Sequence, residues 1–389
     1  MFFDKKIVLP VIVLSQFLCT SLWFGGNAVL SDFSKDLHLP PSALASITSF
    51  IQFGFITGTL VFAILTMADR YKPSAVFFSS AVAAALANGL IIFSKDFSVV
   101  LVLRFSTGFF LAGIYPVGMK IAADHYEKGL GKALGYLVGA LVLGTAFPHL
   151  LKSMSVTLSW KDVLISISVM SIIGGLFMLL LVPKGSYRKA MQKIDIRLAF
   201  KVFQNKEMRS AAFGYFGHMW ELYTFWAFVP VIIDTYLRYN KVENMSVSLI
   251  SFVVIASGTI SCIASGYFSQ KTGVKKTAFI ALLCSCCCCI ISPLSFSFPI
   301  AVFILFLIFW GATVVADSPM FSTLIAANTT GEQKGTALTI VTSVGFFITI
   351  VSIEVLNLLR NYIDEKWLYI FLCIGPLLGL VSLNRKREN

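Results

Sequence analysis

Residues 98–123 read SVVLVLRFSTGFFLAGIYPVGMKIAA, and residues 299–327 read PIAVFILFLIFWGATVVADSPMFSTLIAA. Each stretch exceeds the roughly 20 mostly apolar residues that a helix needs to cross about 30 Å of hydrocarbon. Each also holds an ionisable side chain deep in the run, Arg104 in the first and Asp317 in the second. The two stretches therefore predict membrane-spanning helices that carry buried charge.

The composition of the whole chain also indicates that it folds in a lipid bilayer. Of 389 residues, 57% are hydrophobic and 13% are charged, with a mean hydropathy of +0.84. A soluble domain has about 25% charged residues, so a water-soluble fold is excluded. Apolar runs between polar or Gly/Pro breaks predict an all-α membrane protein with twelve spans. The predicted spans are 7–30, 42–68, 74–94, 98–123, 132–151, 162–183, 209–237, 246–269, 277–293, 299–327, 335–359 and 367–383.

The first span begins after Lys5 and Lys6, which resembles the start of a signal peptide. It runs on to Leu30 without a cleavage site, so we expect it to be retained. Most of the 31 lysines and arginines fall on inner segments if the amino terminus is cytoplasmic. The positive-inside rule then predicts that both termini are cytoplasmic. We expect a multi-pass monomer of the cell membrane, the inner membrane if the source is bacterial, with lipids around it.

The net charge of +12 does not indicate nucleic-acid binding, because the basic residues are scattered over short loops. The long polar connection divides the chain into a six-helix bundle at 1–183, a cytoplasmic linker at 184–208 and a second six-helix bundle at 209–389. We interpret this linker as a solvated loop that sets the membrane topology. A binding site for lipid headgroups or for a partner is the alternative.

The two halves resemble each other in sequence. Three landmarks recur in the same order about 200 positions apart, which indicates duplication of a six-helix unit. They are Gly131-Lys-Ala-Leu134 with Gly335-Thr-Ala-Leu338, Pro116 with Pro319, and the turn Asp69-Arg70 with Gln270-Lys271.

These features resemble the major facilitator superfamily. The resemblance rests on the Asp69-Arg70 turn, on Arg104-Phe-Ser-Thr107-Gly108 and on the glycine-rich fifth span. The stretches at 218–223 and 316–322 are similar to a branch loosely grouped with nitrate and cyanate permeases. The resemblance implies twelve helices in two pseudo-symmetric bundles that carry a solute by alternating access. It also implies that spans one, four, seven and ten line the path of the substrate.

Three ionisable residues lie on those spans, namely Arg104, Glu221 and Asp317. A charge at the bilayer centre costs about 2.5–3.5 kcal/mol, so these groups are expected to face a partner or a wet cavity. Arg104 is either an anchor for an anionic substrate group or a structural bridge to a polar residue such as Asn27. Glu221 and Asp317 either bind protons reversibly or are carboxylates tied to a helix terminus or a Lys/Arg partner.

Further side chains are candidates for the substrate site, the proton site or the gate because of their positions along the predicted helices. His218 is three residues before Glu221, so a proton relay is possible on one helix face. Trp220, Tyr223 and Trp226 surround Glu221 as a candidate aromatic wall. Trp23 and Asn27 can complete the cavity from the other half. The gate candidates are Asp69, Arg70, Gln270 and Lys271, for which simple topology is the alternative.

The chain has no phosphate-binding loop of the Gly-x-x-x-x-Gly-Lys-Ser/Thr type, so a gradient rather than ATP is expected to drive it. We predict proton-coupled symport of a small solute, an organic anion because Arg104 is the only deep cation. Proton-linked export of amphipathic compounds or drugs is the alternative, and a sensor without turnover is a third possibility. The four histidines are dispersed and the eight cysteines lack structural-zinc spacing, so no enzyme, metal or cofactor is predicted.

Overall fold

The computed structural model describes residues 5–126, 130–154, 159–187, 203–329 and 334–384. Twelve helical spans can be followed through these residues, and most of the predicted linker lies outside them. The helices of the first six spans are Lys5–Thr20 with Gly25–Ala28 and Leu30–Leu37; Ala43–Ile64 with Met67–Arg70; Pro73–Leu90 with the 3₁₀ turn Ile91–Phe93; Phe97–Leu111 with Tyr115–His125; Leu130–Met154; and Trp160–Leu181. Those of the last six are Lys206–Tyr239; Val247–Thr272; Val274–Ser295; Ile300–Ala316 with Ser318–Ala327; Lys334–Leu359; and Glu365–Leu368 with the 3₁₀ turn Tyr369–Cys373 and Ile374–Asn384.

Ten of these spans are long and apolar enough to cross a membrane, within the part of the chain that the structure describes. The apolar helix of the first span is shorter, at Ile7–Thr20. The seventh span is the longest helix of the described residues at 34 residues, and it carries His218 and Glu221 in its interior.

The chain forms two compact units, Met1–Lys193 and Ile194–Asn389. Within the first unit, span two packs on span four, span three on spans four and six, and span one on spans five and six. Within the second unit, span eight packs on span ten, span nine on spans ten and twelve, and span seven on spans eleven and twelve. The corresponding helices pack against each other in both units, so the repeat in the sequence is matched by a repeat in the structure.

Close helix contacts repeat at the same positions in the two units. A Cβ atom at Gly108 would lie 2.0 Å from the carbonyl oxygen of Ile51, and one at Gly311 would lie 2.1 Å from that of Val254. Gly311 follows Gly108 in the chain by the same distance as Val254 follows Ile51. Backbones of adjacent spans approach this closely only where the interface residue is small.

Proline interrupts the fourth and tenth spans. The fourth leaves the helical conformation after Leu111 and resumes at Tyr115, while the tenth is interrupted at Asp317 alone. Proline lacks an N–H and its ring clashes with the preceding turn, so Pro116 and Pro319 each restart a helix as its second residue. In both spans the interruption lies just before the proline, and each span still continues across the apolar run, over Phe97–His125 and Ile300–Ala327.

The first span corrects the prediction of one helix over 7–30. Its helix ends at Thr20, a turn follows over residues 21–24, and two shorter helices begin at Gly25 and Leu30. Adjacent glycines destabilise a helix, which favours a break at this position. At the break, backbone carbonyl groups lack the N–H donors that a continuous helix would supply. Arg104 of the fourth span donates to two of these carbonyl groups.

Candidate functional site

Glu221 lies at the centre of the second unit and is 1% exposed. Three neutral donors from two other spans converge on its Oε1 atom. Trp310 Nε1 of the tenth span donates at 2.7 Å, Cys289 Sγ of the ninth span donates at 3.2 Å, and Ser285 Oγ of the ninth span also donates. No lysine or arginine of the described residues forms an ion pair with Glu221. Its charge is therefore supported by dipoles and not by a fixed cation.

A second buried pair lies one turn away on the same helix. His218 Nδ1 of the seventh span is 2.7 Å from Asp317 Oδ1, and the two side chains are 0% and 1% exposed. Asp317 occupies the break in the tenth span. The rings of Tyr215 and Phe321 lie 5.9 Å from the imidazole, which encloses the pair in aromatic surface. His218 and Glu221 thus both connect the seventh span to the tenth, at successive turns.

The three aromatic candidates around Glu221 pack within the second unit. Trp220 is partly buried and donates from Nε1 to the carbonyl oxygen of Phe371 at 3.3 Å. Tyr223 is buried with its ring 5.2 Å from Trp226 and 5.1 Å from Phe346. These contacts join the seventh span to the eleventh and twelfth. They support a packing role for the three side chains beside the predicted role as a wall.

In the first unit, Arg104 is completely buried on the fourth span. Its Nη1 donates to the carbonyl oxygen of Leu22 at 3.2 Å and its Nη2 to that of Trp23 at 2.6 Å. The structural bridge proposed from the sequence therefore exists, but its acceptors are backbone carbonyls and not Asn27, whose amide donates to Thr48 Oγ1 at 2.7 Å. Broken helices expose such carbonyls, which a sequence pattern does not show.

The bridge leaves Arg104 unsatisfied in two respects. Carbonyl groups carry no net charge, and no described carboxylate pairs with the guanidinium. Its Nε atom is buried and has no hydrogen-bond partner among the described residues. A buried guanidinium that lacks a counter-charge is costly, so the arrangement can accept an anion.

A family model described as the Major Facilitator Superfamily matches residues 12–353. This match covers most of the chain and both units. The chain belongs to the major facilitator superfamily. Superfamily membership establishes a multi-pass membrane transporter with the twelve-helix fold. No curated protein matches the chain.

In this superfamily member, the four gate candidates have different surroundings. Asp69 Oδ1 lies 2.9 Å from Lys120 Nζ of the fourth span, and both side chains are largely buried. Arg70, Gln270 and Lys271 are exposed. The Asp69-Arg70 turn therefore contacts the fourth span through Asp69, while the corresponding turn Gln270-Lys271 of the other half is exposed. The partner Lys120 lies within the predicted fourth span and was not a gate candidate.

Sequence reasoning missed the three donors to Glu221. Serine and cysteine inside an apolar span resemble small packing residues, so Ser285 and Cys289 give no signal of a contact with Glu221. Trp310 carries no signal that distinguishes it from other membrane tryptophans. The described residues contain no group of three or more His, Cys, Asp or Glu side chains that could hold a metal ion.

Proposed function

We propose that this transporter carries small organic anions by proton-coupled symport. The observation that supports it most directly is the environment of Glu221, a buried carboxyl group held by Ser285, Cys289 and Trp310. A lysine or arginine partner would hold the group in its charged form. Neutral donors leave it able to exchange a proton when water reaches it, which a proton-coupled carrier requires.

Arg104 supports an anionic substrate. It is fully buried, its described partners are uncharged, and its Nε atom retains an unused N–H. A guanidinium stays charged at all physiological pH values and forms directional hydrogen bonds with carboxylates. An anion bound here would supply the counter-charge that the described residues lack.

Alternating access is the transport mechanism that the superfamily resemblance implies, and we adopt it. Asp317 and His218 provide a second site at which proton binding would alter contacts between spans seven and ten. Because Asp317 lies between the two helices of the tenth span, a change in its charge acts at the junction of those helices. Proton binding and helix movement are thereby coupled in one unit.

The test uses Glu221→Gln in proteoliposomes, with a substrate found by thermal-shift screening of metabolites, siderophores and drugs. An imposed pH gradient should drive accumulation by the wild type. The variant should lose that accumulation but keep counterflow exchange, since glutamine preserves the shape of the side chain and cannot ionise. Glu354→Gln, an exposed carboxyl of the eleventh span, is the matched control and should keep both activities.

Full accumulation by Glu221→Gln would refute proton coupling at this residue. A protein that binds ligand yet shows no counterflow would be a sensor rather than a carrier. Substrates that are amphipathic and bind independently of Arg104 would favour the alternative, proton-linked export.

A further inference from the structure

The broken first span is enclosed in the first unit by a polar stripe of the second span. Asn27 Nδ2 donates to Thr48 Oγ1 at 2.7 Å, and the ring of Trp23 lies 4.7 Å from that of Phe55. Gln52 lies between Thr48 and Phe55, one helical turn from each, so the three side chains share one face. This places the completely buried Gln52 beside the break.

The fourth span closes the other side of the break. Arg104 binds the carbonyl oxygens of Leu22 and Trp23, and a Cβ atom at Gly26 would lie only 3.3 Å from its Nε. The guanidinium therefore lies against the backbone next to Asn27. Residues from spans one, two and four meet at this point.

Three side chains at this point have polar atoms without a hydrogen-bond partner among the described residues. They are both amide atoms of Gln52, Oδ1 of Asn27 and Nε of Arg104. All three residues are more than nine-tenths buried. Buried polar atoms are normally hydrogen-bonded, and several exceptions in one place are typical of a ligand site and not of packing.

The hydrogen bonds around Thr48 fix the orientation of the Asn27 amide. Thr48 Oγ1 donates its only proton to the carbonyl oxygen of Leu44 at 2.7 Å, so it can only accept from Asn27. The nitrogen of Asn27 therefore faces Thr48, and its unsatisfied Oδ1 is an acceptor. The site presents this acceptor and the Gln52 oxygen alongside the donors Gln52 Nε2 and Arg104 Nε.

We propose that Arg104, Gln52 and Asn27 form a binding site for a carboxylate that carries a hydroxyl or amino group on a neighbouring carbon. The carboxylate accepts from Arg104 Nε and Gln52 Nε2, and the hydroxyl or amino group donates to the amide oxygens. A simple carboxylate leaves those two acceptors unpaired. The inference rests on the proposed transport of organic anions and names the substrate class.

Matched pairs of ligands test the proposal with purified protein. Binding of lactate against propionate, and of malate against succinate, is measured by thermal shift and by calorimetry. We expect the hydroxylated member of at least one pair to bind the wild type at least tenfold more tightly, because sites built for a hydroxyl strongly reject analogues that lack it. Gln52→Leu should reduce this preference to less than threefold.

Gln16→Leu is the matched control. Gln16 is also a completely buried amide with no partner among the described residues, but its side chain lies against Gly118, one helical turn before the first helix ends at Thr20. This variant should retain the preference for the hydroxylated ligand. Without ligand, Gln52→Leu should melt no lower than the wild type, because it removes an unsatisfied amide, whereas a purely structural glutamine would lower the melting temperature when replaced.

Equal binding within each pair, a preference that survives Gln52→Leu, or no binding by all four compounds would overturn the proposal. These results are independent of the Glu221 experiment. If the Glu221 experiment shows no proton coupling but the wild type still prefers the hydroxylated ligands, only the proposed symport is rejected. Intact coupling without discrimination would reject only this site.

Discussion

His218 Nδ1 lies 2.7 Å from Asp317 Oδ1, which connects the seventh span to the residue between the two helices of the tenth span. The two side chains are 0% and 1% exposed, so the contact is shielded from water. The contact is therefore expected to contribute more to stability than an ion pair on the surface.

A double-mutant cycle should detect this coupling. Asp317→Asn and His218→Gln should each lower stability, because removing one partner leaves the other polar group buried without its contact, which costs about 1–3 kcal/mol. The double variant should lose at least about 1 kcal/mol less than the sum of the single effects. Thermal unfolding of the purified protein in one detergent provides the measurement, and additive effects would show that the two side chains are energetically independent.

Trp310→Phe isolates one donor to Glu221. The substitution removes the N–H but keeps aromatic packing against Phe225 and Phe306, whose rings lie 4.5 Å and 5.8 Å from that of Trp310. A hydrogen bond to a charged group contributes about 1.5–3 kcal/mol. We expect proton-driven accumulation to fall by about tenfold or more, a difference of at least about 1.4 kcal/mol, while the protein stays folded.

The same proteoliposome assay tests this prediction, with the initial rate of uptake as the measurement. Trp367→Phe is the control, because Trp367 is 49% exposed on the twelfth span. Equal rates for Trp310→Phe and the control would show that the Trp310 hydrogen bond is dispensable to coupling.

The apolar runs predict the spans well, because length and hydropathy alone decide whether a helix can cross a bilayer. The buried charges at Arg104, Glu221 and Asp317 are also visible in the sequence, as are the approximate ends of the spans other than the first. The sequence does not show which groups satisfy those charges. Ser285 and Trp310 reach Glu221 from spans more than 60 residues away, and only packing of the spans brings them together.

The sequence does not predict the break in the first span, for a different reason. Gly25 and Gly26 are adjacent and offer a local signal, but glycine is common inside membrane helices, so the run to Leu30 reads as one helix. Gln52 was also available as an amide in the middle of an apolar span. Its importance appears only when Thr48 and Phe55 are seen to face the break.

Gly108→Ala should destabilise the first unit. The added Cβ would lie 2.0 Å from the carbonyl oxygen of Ile51, so spans two and four must separate or shift. Overpacking of this kind costs about 1–3 kcal/mol, against a gain of at most about 1 kcal/mol from alanine in a helix. The melting temperature of the purified variant should fall by several degrees.

Gly266→Ala is the control for that substitution. Gly266 lies within the helix Val247–Thr272, and a Cβ there would have no atom within 4 Å. Its melting temperature should be unchanged or slightly higher. If Gly108→Ala melts like Gly266→Ala, the close approach of the two spans is not required for stability.

The ion pair between Asp69 and Lys120 predicts a gate that depends on charge. Its atoms are 2.9 Å apart and its side chains are 13% and 14% exposed, so water screens it less than a surface pair. We expect Asp69→Asn and Lys120→Gln each to slow exchange by at least threefold while ligand affinity stays within twofold. Arg70→Gln should leave the exchange rate unchanged, because Arg70 is exposed on the same turn.

A charge swap separates a latch from a simple topology signal. The double variant Asp69→Lys with Lys120→Asp restores an attractive pair with both charges reversed, although the new carboxylate then lies near Asp124, whose Oδ1 is 3.9 Å from Lys120 Nζ in the wild type. If the pair works as a latch between the turn and the fourth span, the swap should recover at least half of the exchange rate that the single variants lose. If the charges matter only for insertion, the swap should behave no better than the single variants, and all three should be depleted from the membrane fraction in proportion to their loss of activity.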